Sequence, residues 1–257
     1  VFISTDNGLT WKESKNGLPS NGISELSVSG TNIYAGTWEY GGVYVSKNGG
    51  LSWELANSGI TEPYIITLAA NGSMVVASSV YGGLFISTNS GDSWSSIDSD
   101  QFEHVRTIAF SGDYIFVGTE GQGVFRTDDS GVTWIPKNNN LGDGDGYIYK
   151  LAVDGQTIWV SINGDVFFSD DNGNSWVSAN NGLTDVEVNS FAFSGNKVFA
   201  GTSGGVYLST DKGSTWTEVN DGFPESLFQW AIVALKENTL IASYGYQGVF
   251  INSTLLT

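Results

Sequence analysis

The stretch Ser46-Lys-Asn-Gly-Gly-Leu-Ser-Trp53 is one of six copies of a motif of the form Ser/Thr-x-Asp/Asn-x-Gly-x-Ser/Thr-Trp. The copies end at Trp11, Trp53, Trp94, Trp134, Trp176 and Trp216, so successive copies are 42, 41, 40, 42 and 40 residues apart. A nearly fixed period of this length is typical of repeat architectures. The repeat runs from end to end, which predicts a single domain over residues 1–257.

Each repeat contains four runs that are typical of β-strands. In one repeat, apolar residues alternate over residues 23–30, a tight turn leads into residues 32–37, and residues 42–46 precede the motif. We expect the fourth strand to start at the motif tryptophan. Radial repetition buries the faces of such sheets against each other. The predicted fold class is all-β, a β-propeller of about six four-stranded antiparallel blades, with seven blades as the alternative.

The motif lies between the third and fourth strands, and each of its residues has a structural role there. Taking the copy that ends at Trp176, Asp171 can accept hydrogen bonds from turn N–H groups, and Gly173 allows a positive φ. Ser175 is expected to tie the turn to its neighbour, and the indole to be buried between sheets. The motif therefore predicts a scaffold and needs no ligand.

This pattern resembles the Asp box, also called the bacterial neuraminidase repeat. Six copies in register extend the resemblance over essentially the whole chain. It implies a propeller related in fold to those of sialidases, sortilin-type receptors, xyloglucanases and photosystem assembly factors. These relatives have unrelated activities, so the resemblance implies a fold and not a function.

The two ends of the chain suggest how the predicted ring closes. We expect a last blade that combines residues 1–15 with residues 229–252. Residues 1–4 and 249–257 then compete for the same strand position, because both correspond to the third strand of a repeat. A seven-bladed ring would need further residues before Val1, so six blades are favoured.

Composition narrows the class of partner. The chain has 10 Lys and Arg against 27 Asp and Glu, a net charge of -17, which disfavours nucleic acid and anionic membrane surfaces. It contains no Cys, and no apolar run reaches the roughly 20 residues of a membrane span. The polar, weakly charged surface and the initial Val predict an extracellular or periplasmic bacterial protein, as one part of a longer multidomain chain. No cofactor is expected.

An enzymatic function has weak support in the sequence. A sialidase needs three arginines for the substrate carboxylate, and this chain has two, Arg106 and Arg126. Another glycoside hydrolase would need two carboxylates across a groove. Asp100 and Glu103, beside the single histidine His104, are the candidates for such acid–base chemistry. The alternative is that they belong to a solvated acidic rim.

Two further groups of residues could bind a ligand. Asp143 and Asp145 alternate with glycines as in a calcium loop, but the complete loop pattern is missing. Aromatic residues in the connecting loops could stack on sugars or anchor a protein partner, or could simply cap the blades. These are Trp38, Tyr40, Tyr81, Tyr147, Tyr244 and Tyr246. The favoured hypothesis is a non-catalytic binding or scaffold module with a glycan or protein ligand, and the alternative is a glycoside hydrolase.

Overall fold

The computed structural model describes residues 1–20, 22–39, 41–97, 102–142, 146–183, 187–221, 231–236, 239–244 and 248–252. These residues form strands, turns and bends, and no helix occurs among them. Accordingly, this part of the chain has no helix that could cross a membrane. The chain divides into two compact units, Val1–Lys137 and Asn138–Thr257.

The first unit contains one two-stranded sheet and three four-stranded sheets, all antiparallel. The two-stranded sheet pairs β1 (Phe2–Ile3) with β2 (Lys12–Glu13). Sheet 1 consists of β3 (Ile23–Ser29), β4 (Asn32–Thr37), β5 (Gly42–Ser46) and β6 (Glu54–Leu55). Sheet 2 consists of β7 (Ile65–Asn71), β8 (Met74–Ser79), β9 (Leu84–Ser87) and β10 (Ser95–Ile97). Sheet 3 consists of β11 (Val105–Ser111), β12 (Tyr114–Thr119), β13 (Val124–Thr127) and β14 (Ile135–Pro136).

The second unit contains two four-stranded sheets and, among its described residues, one three-stranded sheet. Sheet 4 consists of β15 (Ile148–Asp154), β16 (Thr157–Ile162), β17 (Asp165–Ser169) and β18 (Val177–Ser178). Sheet 5 consists of β19 (Val188–Ser194), β20 (Lys197–Thr202), β21 (Gly205–Ser209) and β22 (Thr217–Glu218). Sheet 6 consists of β23 (Ala231–Lys236), β24 (Thr239–Tyr244) and β25 (Val249–Asn252).

The core lies between neighbouring sheets within each unit. In the first unit, Tyr34 of β4 packs with Leu68 of β7 and with the motif tryptophan Trp94, and all three are buried. In the second unit, Trp159 of β16 packs in the same way against Phe191 and Trp216. Burying a large side chain of this kind contributes roughly 2–3 kcal/mol. The predicted burial of the motif indoles is confirmed for Trp53, Trp94, Trp134, Trp176 and Trp216, whereas Trp11 is 44% exposed.

Each motif turn is closed by a small hydrogen-bond network. The hydroxyl of Ser169 donates to Oδ1 of Asp171 (2.7 Å) and accepts from the N–H of Gly173 (2.8 Å), whose φ is +75°. Ser175 donates its N–H to Asp171 Oδ1 (2.9 Å) and its hydroxyl to Oδ2 (2.6 Å). The expectation that Ser175 ties the turn to its neighbour is therefore wrong, because its hydroxyl is engaged by the aspartate of its own turn.

This network favours the ionised form of the motif aspartates. The pKa of Asp171 is lowered from 3.8 to about 2, mainly because the hydroxyl of Ser175 donates a hydrogen bond to its carboxylate. Burial opposes part of this shift, and hydrogen bonds from backbone N–H groups add to it. The same kind of hydrogen bonding lowers the pKa of Asp6 and of Asp129 to about 2 and also lowers that of Asp211. A carboxylate that accepts several N–H and O–H bonds is stabilised in its charged form.

Successive repeats are tied together by the motif tryptophan itself. The backbone N–H of Trp94 donates to the carbonyl of Ser58 (2.7 Å), and its indole N–H donates to the carbonyl of Ala56 (2.7 Å). The corresponding bonds of Trp216 are both 2.8 Å long. Because this backbone bonds to the preceding repeat, the fourth strand begins one residue after the tryptophan. The prediction that it starts at the tryptophan is wrong by that residue.

A glycine six residues after the tryptophan makes this approach possible. Gly59 has a φ of +101°, and a Cβ at this position would overlap the carbonyl oxygen of Trp94. Gly17 and Gly182 show the same geometry against Trp53 and Trp216. Only a residue without a side chain fits where two backbones approach so closely.

In sheet 6 the position next to β24 is taken by β25, with Ile251 opposite Ile241. This is the position for which the sequence offers both residues 1–4 and residues 249–257. Residues 1–4 contribute β1, which pairs with β2. Closure of a blade between residues 1–15 and 229–252 would involve both units, and it stays a prediction, as does the single domain over residues 1–257.

Candidate ligand-binding face

The strand order gives every sheet two different ends. The turns between first and second strands and the motif turns lie at one end, which we call the box face. The connections between second and third strands, and those that lead to the next sheet, lie at the other end, which we call the loop face. Loops on a rigid scaffold are the usual place for binding residues.

A backbone hydrogen bond with the same connectivity recurs on the loop face of sheets 1 to 5. The residue after the second strand donates its N–H to the carbonyl of the residue before the first strand, as Val80 does to Tyr64 (2.9 Å). The side chains at this pair of positions differ in every sheet: Gly22 and Trp38, Tyr64 and Val80, His104 and Glu120, Tyr147 and Asn163, Glu187 and Ser203. The backbone hydrogen bond is thus the same in these sheets, whereas the side chains beside it differ from sheet to sheet.

A β-bulge follows at the second residue of each of these first strands. The register shifts between Val105 and Thr107 in sheet 3 and between Ile148 and Lys150 in sheet 4, and the other three sheets shift at the same place. A bulge re-aims the side chain of the extra residue. The residues placed in this way are Ser24, Ile66, Arg106, Tyr149 and Asn189.

In the first unit the loop face exposes aromatic rings. Trp38 is 43% exposed, and Tyr81 is 66% exposed. The ring of Tyr81 meets that of Tyr64 edge to face, with centroids 5.1 Å apart. Trp38 and Tyr81 were both predicted from the sequence as ligand-binding residues, and the structure places both on the loop face of this unit.

The acid–base candidates of the first unit lie beside this aromatic group. Glu103 is exposed, and its backbone N–H donates to the side-chain carbonyl of Gln122 (2.7 Å). His104 has a φ of +48°, and its Nδ1 lies 3.2 Å from the carbonyl of Val80. A carbonyl can only accept, so this contact requires the proton on Nδ1. His104 is thereby positioned by the preceding sheet.

In the second unit the loop face carries a pair of tyrosines. The rings of Tyr147 and Tyr149 are 4.7 Å apart, and the hydroxyl of Tyr149 donates to Glu187 Oε1 (3.2 Å). Burial, together with the nearby Glu187 carboxylate, raises the pKa of Tyr149. Sequence reasoning missed Tyr149, because the direction of its side chain depends on the bulge at this residue and not on the alternation of the strand.

Several predicted site residues cannot be placed. Tyr40, Asp100, Asp143, Asp145 and Tyr246 lie outside the described residues, and of Tyr244 the backbone alone is described, as the end of β24. Within the described ranges, no group of three or more His, Asp or Glu side chains could hold a metal ion. In the same ranges the carboxylates with a shifted pKa are those of the motif turns.

A cavity of about 660 Å³ lies between the β1–β2 pair and the motif turn at Gly50. In two later repeats the space under this glycine is filled from the second strand of the preceding sheet, by Tyr34 beneath Gly91 and by Trp159 beneath Gly213. The described part of the β1–β2 sheet has no such strand, and Gly50 is approached there by the smaller side chains of Ile3 and Ser14. We interpret the cavity as a consequence of packing and not as a ligand site.

Solved structures with this fold include binding proteins and enzymes. YCF48 bound to a D1 peptide is 19% identical, with a TM-score of 0.68 over 95% of this chain and 82% of that one. The extracellular domain of the one component system BT4673 from B. thetaiotaomicron is 17% identical, with a TM-score of 0.74 over 95% of this chain and 34% of that one. The GH74 enzyme of Niastella koreensis is 17% identical, with a TM-score of 0.69 over 91% of this chain and 37% of that one.

These similarities show the fold alone, and this chain spans little more than a third of the length of the last two proteins. Comparison with curated protein sequences gives no significant match. The BNR/Asp-box repeat matches residues 2–13, and the DUF6242 beta propeller domain matches residues 88–244, more than half of the chain. The predicted fold class, an all-β propeller of about six four-stranded antiparallel blades, is thus confirmed. The chain belongs to the DUF6242 beta propeller domain family.

Proposed function

We propose that this propeller is a non-catalytic binding module of a secreted bacterial protein, and that a protein segment or a glycan docks on its loop face. The observation that carries the proposal is the exposure of Trp38 and Tyr81 on the loop face of the first unit. Large rings with a polar edge are the side chains that most often anchor a ligand or a partner protein.

The similar structures support this proposal at the level of the fold. YCF48 carries a D1 peptide, and the BT4673 structure is an extracellular domain of a bacterial protein. Neither property is transferred to this chain by an identity below 20%. They indicate that this architecture serves peptide binding and extracellular roles in other chains.

A glycoside hydrolase is the alternative, and the similarity to a GH74 enzyme is the observation that favours it. Such an enzyme needs one carboxyl group whose pKa is raised, so that it can donate a proton. Among the described residues, the carboxyl groups with a shifted pKa are aspartates of the motif turns, and in each of them the pKa is lowered. The binding function is preferred on the exposed rings of Trp38 and Tyr81.

The experiment that tests the proposal combines a glycan array, a peptide array and a hydrolysis screen on β-linked polysaccharides. Tyr81→Ala is expected to weaken binding of whichever ligand is found. Leu51→Ala is the matched control, because Leu51 is 68% exposed in a motif turn on the box face. Release of reducing ends by the wild-type chain, or equal effects of the two substitutions on binding, would contradict the proposal.

A further inference from the structure

The loop face of the first unit combines exposed rings with carboxylates. We call the following six side chains the aromatic–acidic face: Trp38, Tyr64, Tyr81, Glu62, Glu103 and Glu120. Resting on the proposed function, we infer that this face binds a cationic protein segment and that Lys or Arg side chains of the segment make the main contacts.

The connections that carry these six side chains are linked by successive contacts. The backbone N–H of Gly42 donates to the carbonyl of Pro63 (2.8 Å). This bond joins the connection that contains Trp38 to the segment that contains Glu62 and Tyr64. The ring contact between Tyr64 and Tyr81 extends this surface across sheet 2. The backbone carbonyl of Val80, next to Tyr81, contacts Nδ1 of His104. The backbone carbonyl of His104 in turn accepts the N–H of Glu120 (3.1 Å).

The charge of this surface selects the partner. Glu62, Glu103 and Glu120 are exposed, and none takes part in the ion pairs found among the described residues, which involve Lys15 and Lys47. The loop-face connections that carry these side chains, residues 38–41, 57–64, 79–82, 98–104 and 120–122, contain no Lys or Arg. The connections that follow β2 and β14 contain Lys15 and Lys137, and Arg106 lies in β11.

Rings and carboxylates together match the chemistry of Lys and Arg. A guanidinium or ammonium group is attracted to the face of Trp or Tyr, and a guanidinium forms paired hydrogen bonds with a carboxylate. A neutral glycan would use the rings but gain little from three exposed carboxylates, and an acidic glycan would be repelled. Among the ligand classes of the proposed function, the face therefore favours a cationic protein segment.

The test uses a fluorescein-labelled ten-residue peptide of alternating Arg and Gly, and the same peptide with Gln in place of Arg. Fluorescence anisotropy measures binding at 0.15 M salt, where charges more than about 8 Å apart are largely screened. Sheet 3 supplies a matched pair of variants with equal change of charge. Glu103→Gln/Glu120→Gln alters the loop face, and Asp113→Asn/Asp128→Asn alters exposed acids at the opposite end of the same sheet.

We expect the Arg peptide to bind and the Gln peptide not to bind. The loop-face variant should weaken binding about two- to tenfold, and its control by less than about 1.5-fold. Tyr81→Ala should weaken binding about two- to fivefold, and Tyr81→Phe, which keeps the ring, should leave it nearly unchanged. Circular dichroism of each variant checks that the fold is retained.

Equal losses in the two charge variants would mean attraction by net charge alone and would overturn the inference. Equal binding of the Arg and Gln peptides would overturn it as well. If no Arg peptide binds but a neutral glycan does so in a Tyr81-dependent manner, the inference fails while the proposed function stands. If neither peptides nor glycans bind, both fail together.

Discussion

Replacing Gly59 by Ala tests the close approach of successive repeats. Gly59 has a φ of +101°, and its Cα faces the carbonyl of Trp94 so closely that a Cβ would overlap this oxygen. The neighbouring Ser58 carbonyl accepts the N–H of Trp94 at 2.7 Å. A methyl group at residue 59 must therefore move the motif tryptophan of the next repeat or break this bond.

The expected cost has two parts. A non-glycine residue in left-handed backbone costs about 1–2 kcal/mol, and loss of the hydrogen bond costs about 1 kcal/mol. Because a smaller entropy of the unfolded chain offsets a few tenths, Gly59→Ala should destabilise the first unit by about 2–3 kcal/mol. At about 2–4 °C per kcal/mol for a domain of this size, Tm should fall by about 4–12 °C.

Gly72→Ala is the matched control in the same sheet. Gly72 has a φ of +61° in the β7–β8 turn, and nothing lies within 4 Å of a Cβ built there. This variant retains the backbone cost alone, about 1 kcal/mol, or about 2–4 °C. Urea and thermal unfolding, followed by tryptophan fluorescence and circular dichroism, measure both variants. Equal destabilisation by the two substitutions would refute the steric argument and leave backbone conformation as the whole effect.

Three further predictions concern the motif turns. Trp94→Phe removes an indole whose N–H donates to a carbonyl, whereas the buried indole N–H of Trp134 has no partner among the residues that the structure describes. Trp94→Phe should therefore cost about 1 kcal/mol more than Trp134→Phe in urea unfolding. Asp171→Asn should leave Tm nearly unchanged, because Asn48 closes the corresponding turn of another repeat by donating to Ser52 (2.7 Å). Asp171→Ala should lower Tm. Equal Tm values for the Asn and Ala variants would refute the role of the side-chain oxygen. The pKa of Asp129 and of Asp171 is about 2 in the folded chain against 3.8 ordinarily, so the stabilisation is present above pH 4 and is lost as the pH falls from about 4 to 2. Tm measured against pH should fall in that window, and less steeply in Asp129→Asn/Asp171→Asn.

The sequence predicts the strands well because the repeat samples each one several times. The expected runs at residues 32–37 and 42–46 coincide with β4 and β5. Glycine-containing turns mark the ends of these runs, and the alternation of apolar residues marks their faces. Where every copy carries the same signal, one local ambiguity does not change the result.

The contacts between repeats were harder to foresee. The motif hydroxyl before the tryptophan could bond to its own turn or to the next one, and no local pattern decides between these partners. The glycine six residues after the tryptophan did leave a signal, because Gly17, Gly59 and Gly182 recur in register with the motif. This recurrence alone does not predict the close approach, because the glycines lie in connections that have no regular strand pattern.

The paired positions before the first strand and after the second strand show no periodic signal in residue type, and this follows from their role. A residue that supports the scaffold must meet the same neighbours in every repeat, so its type repeats, as Gly59 and Trp94 do. The paired positions on the loop face share one backbone hydrogen bond, yet they carry Tyr64 in one sheet and His104 in the next. Their side chains are free of the packing constraint that fixes the motif. Exchanging these paired residues between sheets should therefore alter the proposed binding with little effect on Tm, except at His104, whose φ of +48° disfavours a bulky side chain such as Tyr.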